Sequence, residues 1–562
     1  MITPTQAQIR IRDHEDLDLL IVAPAGCGKT EALAMRIDGM LRRGVAARGQ
    51  RLLVTTFSNR ARDNVRERLA QYVPAAIVGD RISVANFHGL AARIYRAHAN
   101  VIELDASVPI PENDWVGDQC RSRRLQYKVS GVVQDLLRMT KQDALTDSQV
   151  EERLRASGNQ IALEIEQQRV AERRLTYDDL PRLAELILRN DEVAALYCHH
   201  FAAVVVDEFQ DLTPQQLRIV NSIALGRTTY AGDLAQGIYS FAGAKPAEIH
   251  HRIKAECRTE IKFSDSHRSS PAVLGMLNAL SEHTGGVRLQ AADPDSWPGG
   301  GLAGGLGYAT AADEAQAIVR FCRYLLSNAP TQRIGVLART GGKARRRFVD
   351  AAMSESDLPH HRWDDGVLDT DTAKITKAVL SRLDLRDFHD AADPLVYLRE
   401  LADLEAVQDP STRDALASAL NWCCDLLHQG EEPTTIHLRI RVGDAATLLS
   451  IPGVHLLTGH IGKGQQFDWV VILGAEDGCI PDFRAQDDPD LLAEEARIFS
   501  VMISRARHGC IVSYAGEVPA ASGVPYRKEP SRYWEPLAGS FLTADGINHW
   551  FASAAWALIA AR

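Results

Sequence analysis

Lys29 and Thr30 close a run of small residues, Ala23, Pro24, Ala25, Gly26, Cys27 and Gly28, directly behind the apolar stretch 19–22. Glycines at 26 and 28 let backbone amides curl around an anionic phosphate chain. The lysine ammonium can reach the terminal phosphates, and the threonine hydroxyl can hold Mg²⁺. The pattern's first glycine is Ala23 here. Taken alone, this run fits a nucleotide loop or a chance glycine-rich turn. A second group, Asp207 and Glu208, ends the apolar run 201–206. One carboxylate of such a pair holds the metal of a magnesium nucleotide through water, while its neighbour orients and deprotonates the attacking water. An acidic surface turn is the alternative. A third group sets Gln236 beside Tyr239 and Phe241. That spacing lets one loop face phosphate with the amide and nucleic acid with the aromatics.

These residues need elements to hold them, and the hydrophobic pattern supplies parallel α/β units. Pro4 and Thr5 open a short helical segment in which the Gln6 amide, both donor and acceptor, suits an adenine edge. Residues 19–22 read as a buried strand and 31–41 as a helix whose positive N-terminal dipole faces the loop. Residues 51–57 form a second strand with Phe57 at its carboxyl tip, the edge where open α/β sheets bind ligands. An aromatic there stacks a base or fills the core. A third strand, 82–85, runs into Asn86, Phe87, His88 and Gly89. From 90 to 200 the pattern is helical and without strands. The sheet resumes at 201–206 and 228–233. A second alternating pattern follows at 333–339, 454–458, 468–473 and 510–514.

The 562 residues suggest several domains, and the apolar share of 45% with 24% charged residues is that of an ordinary globular protein. The nine cysteines are scattered with no CxxC pair, which argues against a zinc ribbon or iron–sulfur cluster and for a reducing, cytoplasmic compartment. Cys27, inside the loop, is a redox-sensitive thiol or a small-residue filler. No apolar run is long enough to span a bilayer. The net charge of −10 hides basic clusters at Arg51, Arg60, Arg62, Arg66 and Arg68, at Arg121, Arg123, Arg124 and Lys128, and at 343–347. Each is a solvated helix face or a binding patch; an acidic protein can carry a basic groove.

Together the motifs around Gln6, APAGCGKT, VTTFSNRA, NFHGLA, VVVDEFQD and AGDLAQGIYSFAGA resemble the superfamily 1 DNA helicases of the UvrD, Rep and PcrA type. SHRS at 266–269, TGHIGKGQQF at 458–467 and VMISRARHG at 501–509 resemble that family's later motifs. The resemblance implies an α/β fold of two tandem RecA-like P-loop cores, each interrupted by a helical insertion. The first core is expected at 1–100 and 196–262 with an insertion at 101–195. The second is expected at 263–360 and 450–535 with a reduced insertion at 361–449, followed by a tail at 536–562. It further implies ATP and Mg²⁺ between the cores, held by residues 23–30, Gln6, His267 and Asp207. Glu208, Gln236, Arg268 and Arg505 would be catalytic, the two arginines acting as fingers on the γ-phosphate. Thr56, Phe57, Asn59, Phe87, His88, Tyr239, Phe241, Thr458, His460 and Lys463 would follow single-stranded DNA, on a 3′-tailed duplex and with 3′→5′ polarity.

The sequence departs from the family at four positions. The family clamps adenine between an arginine after the loop threonine and a tyrosine before the fourth-motif arginine; those positions are Glu31 and His267 here, which implies weaker base stacking. Ala242 replaces an arginine and Gln466 a glutamate. The second insertion is reduced, and the short chain also resembles the helicase-like subunit of Gabija phage-defence systems. The alternative expectation is therefore a DNA-stimulated ATPase serving a separate nuclease or effector, the 48 residues after Tyr514 being too few for a fused nuclease domain.

Overall fold

The computed structural model describes residues 4–57, 59–109, 115–123, 125–240, 243–339, 343–363, 367–368, 370–391, 393–404, 410–428, 430–442, 451–459, 465–519 and 525–562. The chain forms two units, one of residues 1–269 and 280–293, the other of 270–279 and 294–562. Each is a RecA-like α/β unit. The segment 263–269, assigned from sequence to the second core, packs with the first.

In the first unit the strands β1 (Leu19–Val22), β2 (Arg51–Thr56), β3 (Ile82–Asn86), β4 (Phe201–Asp207), β5 (Thr228–Gly232) and β6 (Glu260–Lys262) form one sheet in the order β3-β2-β4-β5-β1-β6. Every pairing is parallel. Parallel strands are covered on both faces, so their sequences run continuously apolar. LLIV of β1 and FAAVVVD of β4 are buried throughout. All carboxyl ends therefore share one edge, and the loops that carry the motifs leave from it.

Helix α1 (Gln6–Asp13) begins at a Thr5 capping box closed by Gln8. Helix α2 (Lys29–Arg42) starts at Gly28, which takes a left-handed conformation at φ 83°. The helical insertion has its own small core around Trp115, Val133, Leu137, Val150, Leu154 and Ile165. Helices Asp179–Ile187 and Asp191–His200 do not belong to that core. Leu180, Leu183, Ile187 and Val193 pack with β4 instead, because their apolar face covers the sheet.

Below the insertion core lies a buried ionic cluster. Lys141 pairs with Glu166 at 2.9 Å and Asp179 at 3.0 Å, Arg169 with Asp147 at 2.7 Å and Glu166 at 2.7 Å, and Arg182 with Asp147 at 2.6 Å and Asp179 at 2.8 Å. The three carboxylates lie close enough together to hold a cation. Lys141, Arg169 and Arg182 already neutralise them, so the cluster is a structural one. Its neighbours reach helix Pro214–Ala224: Gln215 donates to the Lys141 carbonyl at 3.1 Å, and Arg218 to Glu185 at 2.5 Å.

The second unit holds a seven-stranded sheet. Strands His360–Arg362, Gly453–Thr458, Arg333–Ala338, Phe467–Leu473 and Ala506–Pro519 lie side by side in parallel, with Pro525–Arg527 antiparallel at the edge. Leu302–Thr310 adds a further parallel strand against Ala506–Pro519, one that the hydrophobic pattern does not announce. Its glycines conceal it: a Cβ on Gly304 would lie 2.7 Å from Ile511, on Gly305 2.4 Å from Phe541, and on Gly307 2.7 Å from Tyr514. Large neighbours fill the space that β-formers would otherwise advertise. The expected tail is also part of this unit, since Ile547, Trp550 and Ile559 enter its core beside Trp469. Between these strands helices Thr370–Arg382, Pro394–Leu401 and Pro410–His428 build a separate small core. No helix among the described residues is long and apolar enough to cross a membrane.

Candidate nucleotide site and strand-facing edge

The carboxyl edge of the first sheet brings four chain segments together. After β1 the loop turns through Gly26 at φ 82° and Gly28 at φ 83°, conformations a Cβ disfavours. The same glycines are needed for space. A Cβ on Gly26 would lie 2.2 Å from Arg268 Cβ, and one on Gly28 would lie 2.7 Å from Gln8 Nε2. The loop is tied to β5 by the Ala23 N–H donating to the Gly232 carbonyl at 2.9 Å. Ala23, Pro24 and Cys27 are buried, while Ala25, Gly26, Gly28, Lys29 and Thr30 are half-buried. Burial pushes the Cys27 thiol up to about 12. A thiol with that pKa is unreactive at neutral pH, so Cys27 is a filler of the loop.

Lys29 Nζ stands 3.3 Å from Asp207 and forms a close ion pair with Glu208. Burial weighs against its charge, but the two carboxylates outweigh burial and hold its pKa above the ordinary value. Burial raises Asp207, and Lys29 offsets this only in part. Glu208 has φ 59°, a left-handed conformation that costs a non-glycine residue free energy and recurs at functional sites. Its carboxylate accepts from Gln210 Nε2 at 2.6 Å, and Gln210 Oε1 accepts the Asp233 N–H at 3.0 Å. The Gln210 side chain is fully buried. Gln236 donates to Asp233 at 2.9 Å; burial keeps the Asp233 pKa above its usual range despite that bond. A continuous chain thus runs from Lys29 through Glu208 and Gln210 to Asp233 and Gln236.

Arg268 closes the loop from the other side. The His267 N–H donates to the Gly26 carbonyl at 3.0 Å, while the His267 side chain is exposed. Burial lowers the Arg268 pKa, against Cys27 and Glu208, and its Nε is buried with no hydrogen-bond partner among the described residues. A buried, unsatisfied guanidinium nitrogen facing a glycine cradle fits a polyphosphate. Thr30 and Asp207 offer the hard oxygen donors that Mg²⁺ takes.

Several expected positions differ. Gln6 is exposed on α1. Two residues on, Gln8 is 6% exposed and donates to the Gly28 carbonyl at 3.4 Å. The helix is capped one residue before Gln6, so position 8 is the one that faces the loop. The signal was readable: Thr5 followed three residues later by glutamine is a capping box. Glu31 accepts from the Tyr72 hydroxyl and pairs with Arg68 at 2.9 Å.

On the same carboxyl edge, Phe57 is 41% exposed and stacks on Tyr239, with ring centroids 5.0 Å apart and planes 12° from parallel. His88 packs edge-on against Tyr177 at 5.8 Å, and burial lowers its pKa. Thr56 is fully buried and Phe87 is 5% exposed, so neither side chain can touch a strand. Phe87 starts helix Phe87–His98, whose inward face is Phe87, Leu90, Ala91, Ile94 and Tyr95. Phe241, His460 and Lys463 fall outside the described residues, as does the side chain of Asn59. In the second unit Arg505 is 1% exposed and donates to the carbonyls of Thr458 at 3.4 Å and Gly459 at 2.6 Å.

A glycine-bent loop, its lysine and a pair of acids on one sheet edge define a P-loop nucleotide site. The chain matches the UvrD/REP helicase N-terminal domain over residues 4–255 and the UvrD-like helicase C-terminal domain over residues 434–517. It is 26% identical to the ATP-dependent DNA helicase UvrD2 of Mycobacterium tuberculosis, over 92% of this chain and 79% of the relative. To UvrD1 of the same organism it is also 26% identical, over 95% and 84%. To the ATP-dependent DNA helicase PcrA of Leuconostoc citreum it is 24% identical, over 93% and 83%. The chain belongs to the UvrD-type superfamily 1 helicases, a family of nucleotide hydrolases.

Proposed function

We propose that this protein is a cytoplasmic, ATP-driven single-stranded DNA translocase and 3′→5′ helicase. The observation that carries the reading is the position of Lys29, held between Asp207 and Glu208 in a loop whose Gly26 lies against Arg268, the Nε of which has no hydrogen-bond partner among the described residues. Lys29, Arg268 and the amides of residues 26–30 hold the β- and γ-phosphates. Glu208 takes the proton of the attacking water as the γ-phosphorus bond to the leaving oxygen of ADP breaks. Gln236, fixed by Asp233, orients that water, and Gln8 faces the base. Mg²⁺, held by Thr30 and Asp207, would neutralise charge on the phosphates. Phe57 and Tyr239 offer bases a stacking platform on the same edge. Arg505 is assigned to turnover by family resemblance, and Arg505→Ala tests it.

The relatives' names lend no support to the alternative, a regulatory subunit of a nuclease complex. The small second insertion still argues for weak unwinding without a partner. The experiment is ATP turnover with and without single-stranded DNA, followed by displacement of a 3′-tailed duplex. Lys29→Ala should abolish turnover, and Glu208→Gln should bind ATP without hydrolysing it. Turnover that ignores DNA, or that survives Lys29→Ala, removes the proposal.

A further inference from the structure

The nucleotide loop and the aromatic pair occupy the carboxyl edge of the first sheet. At the other end, where β2 and its outer neighbour β3 begin, lies a cavity of about 370 Å³. Three arginines line it, Arg51, Arg66 and Arg93, with the Ser83 hydroxyl between them. Arg51 is the first residue of β2 and Ser83 the second of β3. Arg66 comes from helix Asn59–Leu69 and Arg93 from helix Phe87–His98.

One side of each guanidinium is already bonded, and Arg51 and Arg66 use it to cap the edge strand β3. Arg51 donates to the Ile82 carbonyl at 2.9 Å and Arg66 to the Val84 carbonyl at 3.3 Å. Arg93 donates to the Gly89 carbonyl at 3.2 Å and to Ser83 Oγ at 3.3 Å. Edge strands are commonly blunted in this way. That task leaves donors over, because a guanidinium carries five N–H groups. Arg51 Nε is buried with no hydrogen-bond partner among the described residues. Among the described residues Asp63 is the carboxylate that approaches, 3.7 Å from Arg66, and Arg62 already binds it at 3.0 Å. Burial lowers the Arg93 pKa, and Arg51 and Arg66 add to that effect. Three cations therefore crowd one cavity of a protein whose net charge is −10.

We propose that this cavity is a phosphate-binding site, separate from the nucleotide loop. Arginine forks match phosphate oxygens in geometry and charge, and one bound phosphate would relieve the repulsion among the three. The phosphate comes either from a DNA backbone or from a free phosphate compound, and the site's chemistry is the same for both. The inference does not depend on the nucleotide-site reading.

The test uses the full chain with ADP in excess, so that the loop around Lys29 is filled. Inorganic phosphate and pyrophosphate are titrated calorimetrically, and a 3′-tailed duplex is titrated by fluorescence anisotropy across a salt series. Two variants are compared with the parent. Arg93→Gln removes a cation, whereas Ser83→Glu keeps all three arginines and their bonds to the Ile82, Val84 and Gly89 carbonyls, replaces the Ser83 hydroxyl and puts a carboxylate in the cavity. Unfolding midpoints confirm that both fold. Phosphate binding should weaken at least tenfold in both. For a DNA source, duplex affinity falls in the same variants, and the salt slope becomes shallower by about 0.9 for each backbone phosphate that is no longer neutralised. For a free source, duplex affinity and slope are unchanged. A parent that binds neither phosphate nor pyrophosphate, with duplex affinity unchanged in Ser83→Glu, overturns the proposal. Variants that bind both probes as the parent does overturn it equally.

Discussion

Gln210 is where the two acidic motifs of the first unit meet, and replacing it with methionine separates them at nearly constant volume. The parent side chain donates to Glu208 at 2.6 Å and accepts from the Asp233 amide at 3.0 Å, in a fully buried position. A hydrogen bond to a charged group contributes about 1.5–3 kcal/mol, and an orphaned buried donor costs about 1–3 kcal/mol. The first term fixes the rotamer of Glu208, the proposed base, and at ~1.4 kcal/mol per factor of ten it corresponds to a rate loss of about 10- to 100-fold. The second term falls on the Asp233 N–H and appears as lost stability. Gln210→Met should therefore lower kcat for DNA-stimulated ATP turnover with little change in KM for ATP, and should lower the unfolding midpoint. Gln210→Glu keeps an acceptor for the Asp233 amide but repels Glu208, so its kcat should fall further than that of Gln210→Met. Steady-state turnover at saturating single-stranded DNA, read beside thermal unfolding, checks both. A Gln210→Met enzyme turning over within twofold of the parent would refute a positioning role.

Gln8→Ala should raise KM for ATP by about 5- to 10-fold, the scale of one net hydrogen bond of about 1 kcal/mol, while Gln6→Ala stays within twofold; equal effects would return the base contact to Gln6. Phe57→Ala should cost about 1–3 kcal/mol of single-strand affinity with little sequence preference, and fluorescence titration of homopolymers measures it. In the second unit, burial pushes His508 from 6.5 to about 4. Between those values the unfolded chain binds a proton that the folded chain does not, so stability falls as the pH drops through this window, by about 2 kcal/mol at pH 5. Denaturant unfolding at pH 7 and pH 5 should show that loss in the parent and a smaller one in His508→Phe.

Lys29, Asp207, Glu208 and Gln236 were legible because each lies a few residues beyond a buried strand, or at its tip, and parallel strands gather such tips on one edge. Arg268 could be placed by motif order but not by partner, since its approach to Gly26 depends on a segment 242 residues away in the chain. Gln8 and Phe87 show how helix register decides which side chain faces inward. Each start signal, the Thr5 box and the Asn86 cap, was present in the sequence, yet the inward face appears only once the cap is fixed. Gln210 carried no local signal beyond its place in DEFQD. Its two bonds exist because β4 and β5 are neighbours, which the order of strands along the chain does not state. Strand Leu302–Thr310 was hidden because its glycines follow the bulk of other residues and not their own propensity.

The six interlocked charges of the insertion have a mechanical meaning. Lys141, Arg169 and Arg182 share Asp147, Glu166 and Asp179 so completely that shifting one helix strips several ions of their partners at once, all but Asp147 of them buried. Breaking one buried ion pair by removing a partner costs about 3–5 kcal/mol, so gradual creep between these helices is closed off. Apolar packing slides; an interlocked ionic knot holds or lets go. Helices 127–187 will therefore transmit force as a stiff strut, and Gln215 and Arg218 bolt that strut to the helix that follows Asp207 and Glu208.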